Sequence, residues 1–371
     1  MNKRTAIRYV LAFCLLTGCG KNNEQVKIGA VLPLTGSAAV WGQNAKMGIE
    51  LALKEINSAG GARDRKVDVL YEDSQSDPVK AVSSLGKLID VDKVQMVIGD
   101  IASSNVLAMA PVAEKAKVVL LSPGASNPEI TQAGEYIFRN WQSDALEGDL
   151  DARFAYNRLG WREISIVYVG NAYGTGLKTV FEKSFHLMGG KILTSEQFQQ
   201  GATDLRSQLE RIRRSNPHGI YMPGYPPEMA ILLRESKELG INARFLSVQA
   251  FDDPQILQLA KGATEGVIFS VPEPPDTTNS IVNNFTMHYR TMFGKEPGVC
   301  SNTGYDALRI LVWAINQGGY SGPEVQKQLL KLKDFPGAAG STTFDENGDV
   351  IRPFIFKTVK DGQFVEFDRG R

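Results

Sequence analysis

The sequence predicts an α/β protein built as two lobes, each a doubly wound parallel sheet. Three observations predict it. The chain has 371 residues, and a single hydrophobic core stops growing at roughly 250–300 residues. Short β-rich runs alternate with helical patterns along most of its length, the beat of parallel sheets covered by helices on both faces. Proline-rich breaks interrupt that beat. Composition agrees: 43% hydrophobic and 22% charged residues exclude wholesale disorder. With 41 basic and 41 acidic side chains there is no charge excess to favour a nucleic-acid partner.

The first 25 residues stand apart. Lys3, Arg4 and Arg8 precede an apolar run from Tyr9 to Leu16. That run is too short to cross a bilayer, which takes about 20 residues, and residues 1–18 read as a secretory signal peptide. It ends in Leu16-Thr17-Gly18-Cys19, which resembles the lipobox of bacterial lipoproteins. The resemblance implies cleavage before Cys19, acylation of Cys19, and a lipid anchor held by residues 19–25. Each buried methylene contributes about 0.8 kcal/mol, so several chains hold firmly. Gly20 follows the cysteine, and the lack of Asp there implies the outer membrane where the cell has one. The expected location is the periplasm or cell exterior. Cys300 is then the only free thiol, so no internal disulfide is expected.

The elements follow in order. Val26–Leu32 reads as a strand. Gln43–Asn57 reads as a helix, with Ala45, Ile49, Ala52, Leu53 and Ile56 on one face, and Gly60-Gly61 ends it. Lys66–Tyr71 is a strand and Pro78–Ile89 a helix. Val94–Ile98 is a strand, followed by a helix from about Ser103, and Val118–Leu121 is the next strand. A break falls at Asn140–Leu146. The beat resumes with strand Ile164–Val169, a helix from Gly176, strand Gly190–Leu193, a helix from Thr203, strand Gly219–Met222, helix Pro227–Leu239 and strand Phe245–Val248. A second break lies at Val271-Pro272-Glu273-Pro274-Pro275-Asp276. Helix Gly304–Gln317 needs a lobe to pack on. The glycine-rich Phe335–Asn347 stretch is a candidate third crossing between lobes.

Ligands of open parallel sheets bind beyond the carboxyl ends of the strands, so the segments there are the candidates. Ser103 and Ser104 begin a helix; they either cap it or offer an anion site, where free N–H groups and the helix dipole favour negative charge. Ser122-Pro123-Gly124-Ala125-Ser126-Asn127-Pro128 is a constrained loop exposing carbonyls and the Ser126 hydroxyl. Trp41 is either a core aromatic or a pocket wall. Tyr173 sits in a glycine-rich loop, Tyr225 in a Gly-Tyr-Pro-Pro run, and Gln249 follows the Phe245–Val248 strand. Serines thus face aromatic rings, the make-up of a small-ligand pocket.

These pieces together resemble the substrate-binding proteins of branched-chain amino-acid and amide ABC transporters, which have the type I periplasmic-binding fold. The matching segments include Pro33-Leu34-Thr35-Gly36, Trp41-Gly42, Asp77-Pro78, Leu121-Ser122-Pro123, Tyr173-Gly174, Gly224-Tyr225-Pro226-Pro227 and Tyr305-Asp306-Ala307, in order along the whole mature chain. The resemblance implies a three-strand hinge. One lobe would be residues 26–142 and 273–347, the other 143–272 and 348–371. It implies a small-molecule ligand, either an amino acid, an amide or a small carboxylate, held by Trp41, Ser103, Gly124, Ala125, Ser126, Tyr173, Tyr225 and Gln249. It also implies delivery to a permease of the inner membrane, with no cofactor, metal or catalysis. The family's amino-acid binders often have a carboxylate where this chain has Gln249. Asp252 or Asp253 is either its substitute or a helix cap. An amide or an amine-free aromatic or aliphatic acid is the alternative ligand, and sensing for a membrane receptor the alternative role. An enzyme is disfavoured, because His186, His218 and His288 lie away from the strand ends and no Gly-x-Ser-x-Gly or phosphate-binding loop occurs.

Overall fold

The computed structural model describes residues 25–367. The expected signal peptide, Cys19 and all of the leash except Gln25 lie outside the described residues. The chain starts with β1 (Val26–Leu32), α1 (Ala39–Ser58), β2 (Val67–Asp73), α2 (Pro78–Asp90), β3 (Met96–Gly99), α3 (Ser103–Ala116), β4 (Val119–Ser122) and β5 (Ile137–Arg139). These strands form one sheet, in the order β2-β1-β3-β4-β5, with every neighbour parallel.

Strand alternation explains its two covered faces. Ile28, Ala30, Met96, Ile98, Val119 and Leu121 point into one cluster with Ala45 and Ile49 of α1. Their neighbours Val31, Val97 and Leu120 point into another with Leu85, Leu88, Val106 and Met109 of α2 and α3. Each such Leu or Ile contributes roughly 1.5–3 kcal/mol by leaving water. Helix α2 starts as its sequence suggests, with Asp77 Oδ1 accepting from Lys80 N at 2.9 Å and Pro78 in the first turn.

The second part holds α4 (Asp144–Asn157), β6 (Glu163–Val169), α5 (Ala172–Leu187), β7 (Lys191–Phe198), α6 (Arg206–Ser215), β8 (Gly219–Met222), α7 (Pro226–Glu238), β9 (Arg244–Ser247), α8 (Gln255–Leu259) and β10 (Ile268–Pro272). Helices α9 (Ser280–Phe293), α10 (Ser301–Gly318) and α11 (Gly322–Leu329) return to the first sheet's side, where α9 and α10 pack against α1 and α11 against β4. Gly48 permits the α1–α10 approach, since a Cβ there would fall 1.9 Å from the Ser301 carbonyl oxygen. Then come β11 (Phe335–Gly337), β12 (Gly340–Thr342), β13 (Phe354–Lys360) and β14 (Gln363–Glu366).

The second sheet runs β14-β13-β10-β9-β8-β6-β7. Its β6–β10 part is parallel, as the doubly wound fold implies, and β13 and β14 add antiparallel at one edge. The β13–β14 pairing has a local cause: Asp361 and Gly362 both take positive φ, 52° and 71°, as a two-residue hairpin turn requires. Other differences are extensions. Helix α1 begins at Ala39, which puts Trp41 on the helix, and α5 begins at Ala172, capped by Asn171. Residues 335–342 form a small antiparallel hairpin, and the chain returns to the second sheet only after it.

Three segments cross between the sheets: residues 140–143, 273–279 and 343–353. They run side by side. Gln142 bridges Val350 in parallel register, Glu273 N donates to Pro353 O at 2.8 Å, and Arg352 Nη1 donates to Asn140 O at 2.8 Å.

Candidate functional site

The carboxyl ends of the two sheets face each other across a cavity of about 390 Å³ of empty space, part of it open to solvent. Trp41, Ser103, Gly124, Ser126, Tyr173, Tyr225 and Gln249 all line it, so residues 208 positions apart in the chain share one wall system. Ala125 does not. Its methyl group is buried in the core between the first sheet and α2/α3, and its N–H donates to Ser122 Oγ at 2.9 Å. Consecutive residues of an extended loop point opposite ways, so Gly124 and Ser126 face the cavity while Ala125 faces the core.

The first sheet supplies the polar side. Ser103 opens α3, where unpaired N–H groups create a positive pole. Its Oγ accepts from Ser126 N and Asn127 N, both at 3.2 Å, which leaves its own O–H as a donor. Beneath the loop lies Arg139 on β5, fully buried. Its Nη1 donates to Ser126 O at 3.0 Å and Asn127 O at 2.8 Å, and its Nε and Nη2 grip Asp349 at 2.6 and 2.7 Å. Two hydroxyls and a helix N-terminus therefore converge where an anion would be stabilised, on a loop that Arg139 braces from behind.

The second sheet supplies rings. Tyr173 and Tyr225 stack with centroids 5.5 Å apart, and Trp41 meets Tyr225 edge to face at 5.3 Å. Asn171 Nδ2 donates to Tyr225 Oη at 3.2 Å. The two sides are in contact: Ala172 N donates to Ser104 Oγ at 3.2 Å, Asn127 Nδ2 donates to Ala172 O at 2.5 Å, and Gln200 Nε2 donates to Ser37 Oγ.

The family described as "Periplasmic binding protein" matches residues 25–363. The chain belongs to this family. Among its relatives is a leucine-, isoleucine-, valine-, threonine- and alanine-binding protein of Pseudomonas aeruginosa, 27% identical over 88% of this chain and 87% of that one. A leucine-binding protein of Thermotoga maritima superposes with TM-score 0.86 at 31% identity, covering 92% of this chain and 98% of that one. A branched-chain amino-acid transporter substrate-binding protein of Streptococcus pneumoniae, in complex with isoleucine, gives 0.84 at 26% identity, covering 92% and 98%. These are type I folds, and the resemblance read from the sequence holds. This binding protein holds a solute without converting it; it is not an enzyme. None of its histidines lines the cavity. His288 pairs with Glu55, and His218 Nδ1 accepts from Arg162 N at 3.3 Å.

The binding protein's cavity also has walls that sequence reasoning missed: Ile101, Trp141, Ala250, Val299 and Cys300. Ile101 and Ala250 sit beside predicted residues at strand ends. Trp141 follows β5, a strand too short to read from the sequence, and Val299-Cys300 precede α10, so neither stands after a strand that the sequence reveals.

The question of the missing carboxylate has a structural answer. Asp252 is engaged by Lys357 Nζ at 3.1 and 2.9 Å. Asp253 Oδ1 accepts from Gln255 N at 2.9 Å, at the start of α8. Neither is among the residues of the enclosed cavity, but both line the wider cleft that adjoins it at Trp141, Gln249, Val299 and Cys300. A cluster of acids on α4 stands behind Gln249. Asp144, Glu147 and Asp151 are fully buried at helical spacing on one face. Glu147 Oε1 accepts from Gln249 N at 2.6 Å and from Ser270 Oγ at 2.8 Å. Burial pushes the Asp144 carboxyl up to about 7, against the pull of Ser126 and Arg139. Burial, then the neighbouring Asp151 and Asp144, hold Glu147 well above the usual range, and burial does the same for Asp151.

Proposed function

We propose that this protein captures a branched-chain or other hydrophobic amino acid between two lobes and delivers it to an ABC permease. One observation carries the reading: the hydroxyls of Ser103 and Ser126, over Arg139 and the α3 N-terminus, face the stacked Tyr173 and Tyr225 and the edge of Trp41 across one cavity. The first set suits a carboxylate and the second an apolar side chain. The leucine- and isoleucine-binding relatives support it. In this reading Gly124 offers its carbonyl to the ligand ammonium, and Gln249 closes the far wall.

The lobes are residues 26–142 with 273–347, and 143–272 with 348–371. They rotate about the three crossings, and a ligand shifts the population by its preference for the closed form. The chain is anchored outside the inner membrane through lipid on Cys19, in the outer membrane where the cell has one. Incorporation of labelled fatty acid, lost in Cys19→Ala, tests the anchor.

A second reading is favoured by Gln249, a neutral side chain on the cavity wall: an amide or an amine-free acid as ligand. A thermal-shift screen over amino acids, amides and small carboxylic acids separates the two. A ligand at 100 times its dissociation constant stabilises by about 2.7 kcal/mol. Hits confined to amine-free compounds refute the amino-acid reading.

A further inference from the structure

The acid cluster on α4 is unusual in its surroundings. Three carboxyls share one helix face with no exposure; Oε2 of Glu147 and Oδ1 of Asp151 make no hydrogen bond, and Asp144 is drawn on only by Ser126 and Arg139. Unsatisfied buried polar atoms are costly and call for an explanation. The cluster lies one layer beneath the ligand cavity. Glu147 holds the backbone N–H of Gln249, which lines that cavity.

An independent observation points the same way. Tyr173 lines the cavity, is 6% exposed, and its Oη has no partner. The charge it feels most is Glu147, then Asp144. An unpartnered hydroxyl on the cavity wall that feels the charge of these carboxyls couples the cavity to the cluster.

We propose that Glu147, backed by Asp144 and Asp151, is the counter-charge for a cationic group on the ligand, and that the cluster gives up one proton when such a ligand binds. The inference rests on the amino-acid reading above and adds to it the source of the missing negative charge. The step is simple in its balance: the Glu147 carboxyl O–H breaks, its electron pair stays on oxygen, and the proton leaves to solvent as the ammonium enters.

The electrostatics are consistent. Without a cation, burial disfavours the ionised form of all three carboxyls. An ammonium nearby favours the ionised form, so one ionises. The other groups packed around Glu147 do not supply that cation. Arg139 on β5 is committed to Asp349 and the 126–127 carbonyls. Tyr173 on α5, Tyr221 on β8 and Tyr225 before α7 are neutral, and Tyr221 Oη donates to Asp151 at 3.1 Å. Lys357 on β13, beyond Gln249, is paired with Asp252. No histidine takes part.

The test is titration calorimetry on the full chain with leucine and with 4-methylpentanoate, which is leucine without its amine. Each is measured in buffers of different ionisation heat over about pH 5.5–8.5. The expected result is release of up to about one proton per leucine and none for 4-methylpentanoate, with leucine affinity rising by up to about tenfold per pH unit. Glu147→Gln abolishes the release and weakens leucine about ten- to a hundredfold, while 4-methylpentanoate changes little. Adding Gln249→Glu to that variant restores leucine binding without the proton. Proton-neutral, pH-independent leucine binding in the unaltered chain overturns the inference and leaves the amino-acid reading standing. So does unchanged affinity in a folded Glu147→Gln. Binding of 4-methylpentanoate with no binding of leucine overturns both. The proton count in the unaltered chain decides the matter even where the variant fails to fold.

Discussion

Trp41 of α1 and Tyr225 at the start of α7 belong to opposite sides of the cleft, and their rings meet edge to face with centroids 5.3 Å apart. An aromatic pair of this geometry is worth about 0.5–1.5 kcal/mol beyond its burial. It bridges the two sides beside the cavity, since both rings line it.

Ser126→Ala removes one hydroxyl from the polar side. A hydrogen bond to a charged group is worth about 1.5–3 kcal/mol, so ligand affinity falls by about ten- to a hundredfold. Ser103→Ala is the more damaging change, because Ser103 Oγ also holds Ser126 N and Asn127 N. Calorimetry on both variants with the best ligand from the screen checks the order; equal affinity in Ser126→Ala removes that residue from the site.

Arg139→Met leaves Asp349 buried without its partner and frees the 126–127 carbonyls. Breaking a buried pair from one side costs about 3–5 kcal/mol. Denaturant melts of the variant are expected to show that loss, and Arg139→Met with Asp349→Leu to recover part of it. A double variant no better than the single one removes the isolated charge as the cause.

Gly176→Val tests closure without touching the cavity. A Cβ at Gly176 would fall 2.6 Å from Asn127 Nδ2 and 3.0 Å from Pro128 Cδ, across the cleft. The variant is expected to fold normally and to bind about tenfold or more weakly, since the ligand then selects a closed state that is rarer. Small-angle scattering should show a larger radius. An unchanged radius and affinity refute the closing motion.

Stability should fall as pH rises through the titration of the α4 acids. Asp144 moves from the ordinary 3.8 to about 7 on folding, so the folded chain binds its proton more tightly than the unfolded one. That contribution is complete below about pH 4 and is lost as pH climbs through 7. Asp144→Asn removes the titration. It should match the parent at low pH and exceed it by about 1–4 kcal/mol at pH 8, read from melts of the ligand-free protein. A constant difference across pH contradicts the buried assignment.

Much of this was legible in the chain because strands and helices announce themselves by period. Ile28, Ala30 and Leu32 alternate as a strand must, and the serines and tyrosines after strand ends were found by asking what stands there. Ala125 was misread because a loop's alternation cannot be told from its letters alone. Helix α4 was hidden: its inward face carries Asp144, Glu147 and Asp151 beside Ala152 and Ala155, so it lacks the apolar stripe that marks an amphipathic helix. The Asp361-Gly362 hairpin was a missed signal, since that dipeptide between alternating apolar residues is a strong one. Val299 and Cys300 were beyond reach, because only tertiary folding brings a loop before α10 to the cleft.

Cys300 is the one cysteine among the described residues, and it forms part of the cavity wall while 2% exposed. Burial raises its thiol to about 12, so in the closed form it is both shielded and un-ionised, and thiolate is the reactive species. The native molecule thereby carries its own gauge of opening. Alkylation by a maleimide should proceed only in moments when the jaws part, and saturating solute should slow it. Labelling at one rate with and without the solute would mean that Cys300 is reached without the jaws parting.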